Sequence, residues 1–126
     1  NQATKINGDH GEQDLHPIIV GNKLYCEPFA YELQTGKKIA NWGWDLGKRR
    51  GCGTISASAS AFFFRQSNPT MFDLTTHSRT PVTTSTRPGC WINIIPAGGL
   101  LLIPEASSGC TCDYAVQTSL AFLPVE

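Results

Sequence analysis

A period of about forty residues runs through this chain and limits its fold more than any single segment does. Ile18-Ile19-Val20-Gly21-Asn22-Lys23-Leu24-Tyr25 is followed by Tyr31-Glu32-Leu33, Ser58 to Phe64 by Phe72-Asp73-Leu74, and Ile94 to Ile103 by Cys112-Asp113-Tyr114. The acids of the three triplets are 41 and 40 residues apart, and the strand centres Tyr25, Phe63 and Leu102 are 38 and 39 apart. Two anchors agreeing on one period identify a repeat architecture before any strand boundary is fixed. The apolar runs are short, rich in β-branched and aromatic residues and punctuated by Gly, Pro, Asn and Asp, which is the pattern of strands joined by tight turns. Helix signals are nearly absent. Ala57 to Ala61 alternates Ala and Ser with period two, which predicts a strand running on into Phe62-Phe63-Phe64.

A unit of this length built from short strands suits a propeller blade, whose sheet buries its faces against neighbouring blades. The expected fold is therefore all-β: about three antiparallel four-stranded propeller-type blades, an incomplete β-propeller. The units fall at approximately 16–50, 51–88 and 89–126, after a polar arm or linker over residues 1–15. Typical propellers close with four to eight blades. Further blades, from the same precursor or from a partner chain, are thus the expected partners. The alternative is a compact antiparallel sandwich or barrel whose hairpins only look periodic.

Ten basic and ten acidic side chains leave the 126 residues with no formal net charge, so no overall field draws in nucleic acid or an anionic membrane. Charged residues make up 16%, while twelve glycines and eight prolines mark a turn-rich, packed chain rather than a disordered one. The longest apolar stretch, Leu100-Leu101-Leu102-Ile103, stops at Pro104, far short of the roughly 20 residues of a membrane-spanning helix. The chain opens at Asn1 without a secretory segment, which fits a mature or excised product. Five cysteines make the redox compartment matter, and an oxidising, extracytoplasmic one (periplasmic, secreted or cell surface) is expected.

Ala30-Tyr31-Glu32-Leu33-Gln34-Thr35-Gly36-Lys37 resembles the blade-end signature A-x-D-x-x-T-G-K of the PQQ-like, quinoprotein-type β-propeller repeats. Gly36 would supply the positive φ of the hairpin turn. The tryptophan that docks blades in that family is replaced by Ala40, with Trp42 or Trp44 as substitutes, and Glu32 stands where the family has Asp. The second copy, Phe72-Asp73-Leu74-Thr75-Thr76-His77, lacks the glycine. Arg87 to Gly99, running on to Cys112, is similar to the carboxyl-terminal end of large secreted bacterial proteins with these repeats. The resemblance implies a propeller tail outside the cytoplasm and does not imply a bound quinone; the expected role is a non-catalytic interaction or assembly module without a cofactor. It leaves open, as an enzyme alternative, the terminal blades of a PQQ-dependent quinoprotein dehydrogenase.

Cys52 and Cys90 are 38 residues apart, each beside a glycine just before a strand, so equivalent positions on adjacent sheets would bring them together. Cys110 and Cys112 share the loop of the third unit. Two structural disulfides among these four cysteines are expected, in any of three connectivities. A four-thiolate zinc site on the same residues is the metal alternative, although structural zinc sites usually present C-x-x-C pairs and this one is C-x-C. A redox-active thiol is a third reading, because Arg49, Arg50 and Arg87 lie near two of the cysteines. Cys26 is left as the unpaired, buried one.

Other chemistry has little support. His10, His16 and His77 lack metal-ligand spacing, no G-x-S-x-G elbow or G-x-G-x-x-G turn occurs, and the repeated acids have the placement of structural turn acids. Glu105 is read as a loop cap, and Trp42, Trp44 and Trp91 as packing aromatics.

Overall fold

The computed structural model describes residues 5–8, 11–14, 16–44, 51–105, 109–110, 112 and 116–125. Among these residues there is no helix, and short strands form antiparallel sheets throughout. The chain divides into two compact units, Asn1–Arg49 and Arg50–Glu126.

In the first unit, the segment read as an arm holds a two-stranded pair, β1 (Lys5–Gly8) against β2 (Gly11–Asp14). A three-stranded meander follows: β3 (Ile18–Val20), β4 (Lys23–Cys26) and β5 (Phe29–Glu32). Val20 pairs with Lys23 across Gly21-Asn22, where the +59° φ of Gly21 suits a two-residue hairpin turn. Trp42 packs its ring 5.0 Å from Tyr25 and donates its Nε1–H to the Pro28 carbonyl at 2.9 Å. Trp44 stacks on Trp42 at 5.3 Å. The tryptophans expected to substitute in blade docking thus fold Trp42 back onto the strands that precede it.

The second unit carries a four-stranded sheet, β6 (Ser56–Ala57), β7 (Ala61–Gln66), β8 (Asn68–Asp73) and β9 (Arg79–Pro81). A three-stranded sheet follows, β10 (Ile95–Ala97), β11 (Leu100–Ile103) and β12 (Leu120–Phe122). The strand expected to run unbroken from Ala57 through Phe64 is interrupted at Ser58 to Ser60. The Ser58 hydroxyl accepts the Ala61 and Ser60 amides at 3.1 and 3.3 Å, a local bonding pattern that competes with the ladder. Ala61 and Phe63 face one side of β7 and join Ile94 and Ile103 in a core, with Met71, Leu101 and Phe122 packed against it. Phe62, Phe64 and Phe72 are also fully buried, so this sheet is covered on both faces. Burying each such ring contributes about 1.5–3 kcal/mol.

The repeat is visible in the hydrogen bonds. Hairpins close at Val20/Lys23, Ser58/Ala61 and Ala97/Leu100, reproducing the 38 and 39 spacing of the strand centres. Gly36 donates to the Glu32 carbonyl and His77 to the Asp73 carbonyl, each at 2.9 Å, while the bridge Tyr31↔Lys38 matches the pair Phe72↔Arg79. Each of these positions lies 41 residues from its counterpart in the other copy. Gly36 and His77 share the left-handed region, at φ of 67° and 55°. Among the described residues, the sheets of the three copies have three, four and three strands, where four were expected of each. In the first copy the place of the fourth strand is reduced to the single Tyr31↔Lys38 bridge. In the third copy, Asp113 and Tyr114 of the triplet lie outside the described residues. Three sheets of this kind are not a closed propeller.

Gly36→Ala tests the turn. A Cβ at Gly36 meets nothing within 4 Å, so the cost is conformational alone, about 1–2 kcal/mol for a side chain held in the left-handed region. Urea unfolding of the variant is expected to show this loss at unchanged m-value. An unaltered midpoint would mean that the turn relaxes to negative φ.

Candidate functional site

The second unit brings together the four cysteines singled out by the sequence. Cys52 sits in the loop before β6, between Gly51 and Gly53, both with positive φ. Cys90 lies in the turn before β10, followed by Trp91 at φ 63°. Cys110 and Cys112 lie between β11 and β12. The Sγ atoms of Cys110 and Cys112 are 2.9 Å apart, and Cys90 acts on the ionisation of both Cys52 and Cys110.

All five cysteines are free thiols in this structure. The Cys110 and Cys112 sulfurs stand well outside the 2.03–2.05 Å of a disulfide bond. Cys26, expected to be buried, is half-buried and stands in the first unit. Among the described residues, no group of three or more His, Cys, Asp or Glu side chains is placed so that it could hold a metal ion.

Two buried arginines hold the loops that carry these thiols. Arg65, at the end of β7, donates from Nη2 to the Cys112 carbonyl at 3.2 Å and from Nε to the Ser67 carbonyl at 3.3 Å. A side chain at Gly51 would drive its Cβ to 2.6 Å from the Arg65 Cδ and Cγ atoms, so the Cys52 loop and this arginine lie against each other. Arg87 donates from Nη1 to the Pro88 carbonyl at 2.9 Å and to Cys90 Sγ at 3.6 Å, and from Nη2 to the Cys110 carbonyl. Gln117 donates to the same Cys110 carbonyl at 2.8 Å. Thr54 and Asn93 tie the Cys52 and Cys90 segments through a 2.7 Å side-chain bond.

At Cys52 and Cys110 the surroundings favour the protonated thiol. Burial is the main cause that raises the Cys52 pKa, followed by Cys90, against a lowering contribution from Arg65. Hydrogen bonds from Cys112 and Cys90 push the Cys110 thiol up to about 11. A nucleophilic thiol needs the opposite displacement, so the redox-active reading loses support at both positions.

Sequence reasoning placed Cys52, Cys90, Cys110 and Cys112 together but missed Arg65 and Gln117. Arg65 had one signal, a lone charge ending the apolar run Ala61-Phe62-Phe63-Phe64. Arg49 and Arg50, invoked beside Cys52, lie outside the described residues, as does His10. His16 is exposed, and His77 stacks on Phe72 at 5.9 Å in its turn. The Asp73 carboxylate accepts the Thr75 and Thr76 amides, both at 2.8 Å, which holds its pKa below the usual value. Glu105 is half-buried, and its own amide donates to the Ser119 hydroxyl at 3.0 Å.

The fold and the site together describe an all-β protein of repeated antiparallel sheets, one unit of which gathers four thiols between two buried guanidinium groups. No family model, curated protein or solved structure matches the chain.

Proposed function

We propose that this chain is a non-catalytic, extracytoplasmic segment of a PQQ-like β-propeller that acts as an assembly module, docking against further sheets of the same repeat. The observation that carries this reading is the recurrence of one blade-end turn at 41-residue spacing, with Gly36 and His77 both left-handed and Tyr31↔Lys38 matching Phe72↔Arg79. The acids of the repeat support a structural use. Asp73 is engaged with turn amides, and Glu32 accepts from Asn22 Nδ2 at 3.4 Å. Extracytoplasmic placement rests on the resemblance. The docking faces are suggested by large apolar side chains left in solvent: Ile19 at 58% and Ile95 at 44% exposure are strand residues of two different sheets.

Sedimentation of the full chain over a concentration series tests this. Self-association is expected, together with binding of a hydrophobic dye, and Ile19→Asp with Ile95→Asp should weaken the association tenfold or more. A chain that stays monomeric at every concentration and binds no dye would overturn the reading.

A further inference from the structure

We infer that Cys52, Cys90, Cys110 and Cys112 are the four ligands of a single thiophilic divalent cation of the zinc class, which pins three loops of the second unit. The inference stands apart from the assembly reading and survives its failure. Four thiols on three separate loops supply the donor number and type that zinc takes in closed structural sites; Cys110 and Cys112 Sγ stand 2.9 Å apart, and Arg87 links Cys90 Sγ, at 3.6 Å, to the Cys110 carbonyl.

Charge favours the same occupant. The cation replaces the four thiol protons, leaving four thiolates around two positive charges and a net charge of −2. Arg65 and Arg87, at 5% and 2% exposure, are aimed at the loop that carries Cys110 and Cys112, and Arg87 also touches Cys90 Sγ. Two guanidinium charges match that net charge, and they do so away from water, where such an interaction is strongest. Two disulfides would leave neutral sulfur beside the same pair of cations.

As they stand, the described residues form no group placed to hold a metal ion, so the inference requires the thiol-bearing loops to adjust on binding. Zinc–sulfur bonds of about 2.3 Å in a tetrahedron set sulfurs roughly 3.8 Å apart, whereas Cys110 and Cys112 stand at 2.9 Å. Parting them by about 0.9 Å is within the reach of a thiol rotation. The C-x-C spacing places both donors on one side of a tight loop, with Cys52 and Cys90 completing the set.

The test uses the full chain, purified without reductant for a thiol count and then reduced, stripped with a chelator and titrated with cobalt(II). The expected result is one cobalt per chain, with the intense visible bands and the sulfur charge-transfer band of tetrahedral thiolate coordination, and displacement of cobalt by zinc. Alkylation of the zinc-loaded chain followed by peptide mapping should find Cys26 labelled and the other four protected. Cys110→Ser is expected to lower affinity at least a hundredfold, while Cys26→Ser binds as the parent does. Because the serine variant is exposed to misfolding, the protection map on the unmodified chain stands as the deciding measurement. Two disulfides in the unreduced chain, no cobalt uptake at micromolar concentration, or bands of oxygen ligation would each overturn the inference.

Discussion

Phe72→Ala is expected to destabilise the second unit by about 3–5 kcal/mol, the usual cost of emptying a buried aromatic site. Phe72 is fully buried on β8 and lies directly opposite Phe62, with ring centroids 6.1 Å apart and planes tilted by 20°. Its other neighbour is His77, stacked at 5.9 Å. The substitution therefore removes a transfer contribution, opens a cavity beside Phe62, and frees a left-handed His77 that no longer has a ring to lie on. Against a total stability of about 5–15 kcal/mol for a domain of this size, the unit becomes marginal. Phe72→Leu keeps most of the volume and should cost no more than about 1.5 kcal/mol. Equilibrium unfolding in urea, followed by circular dichroism, reads both. A loss below about 1 kcal/mol for the alanine variant would mean that the Phe62 face of this sheet is not packed core.

That prediction rests on a part of the fold that the sequence exposes well and a part that it hides. The 41-residue spacing of Glu32 and Asp73 was legible because the carbonyls of both positions close the same turn, which places a left-handed residue four positions on. The glycine at 36 announced that residue, whereas His77 concealed it, since a left-handed histidine held by stacking has no local signature. Ser58 misled for a related reason. An alternation of Ala and Ser satisfies the period of a strand, yet the serine hydroxyl captured the amides of Ser60 and Ala61 and made a turn. At the site, glycine-flanked cysteines one repeat apart were enough to bring Cys52 and Cys90 together. Arg65 was not recoverable, because a charge at the end of a strand reads as solvent-facing until the fold shows it folded back over Gly51 toward the Cys112 carbonyl.

Arg87→Met should cost about 2–4 kcal/mol and, on the cation reading, weaken cobalt binding at least tenfold without changing its stoichiometry. Methionine keeps the volume of the stem and deletes the donors. The Pro88 carbonyl loses its Nη1 partner, and the Cys110 carbonyl retains only the Gln117 amide at 2.8 Å. Leaving a buried acceptor without its donor costs about 1–3 kcal/mol, more when the lost donor is charged. Arg87→Lys separates the two contributions of the guanidinium. It restores the positive charge but gathers its three N–H donors on one nitrogen in place of a planar fork, so it does not reproduce the separate Nη1 and Nη2 bonds to Pro88 and Cys110. The lysine variant is therefore expected to recover much of the cobalt affinity and little of the stability. A merely structural arginine would show the two quantities failing and recovering in step. If methionine left both the unfolding midpoint and the cobalt affinity unchanged, Arg87 would be neither a support of the Cys110 loop nor a positioning residue for the thiolates.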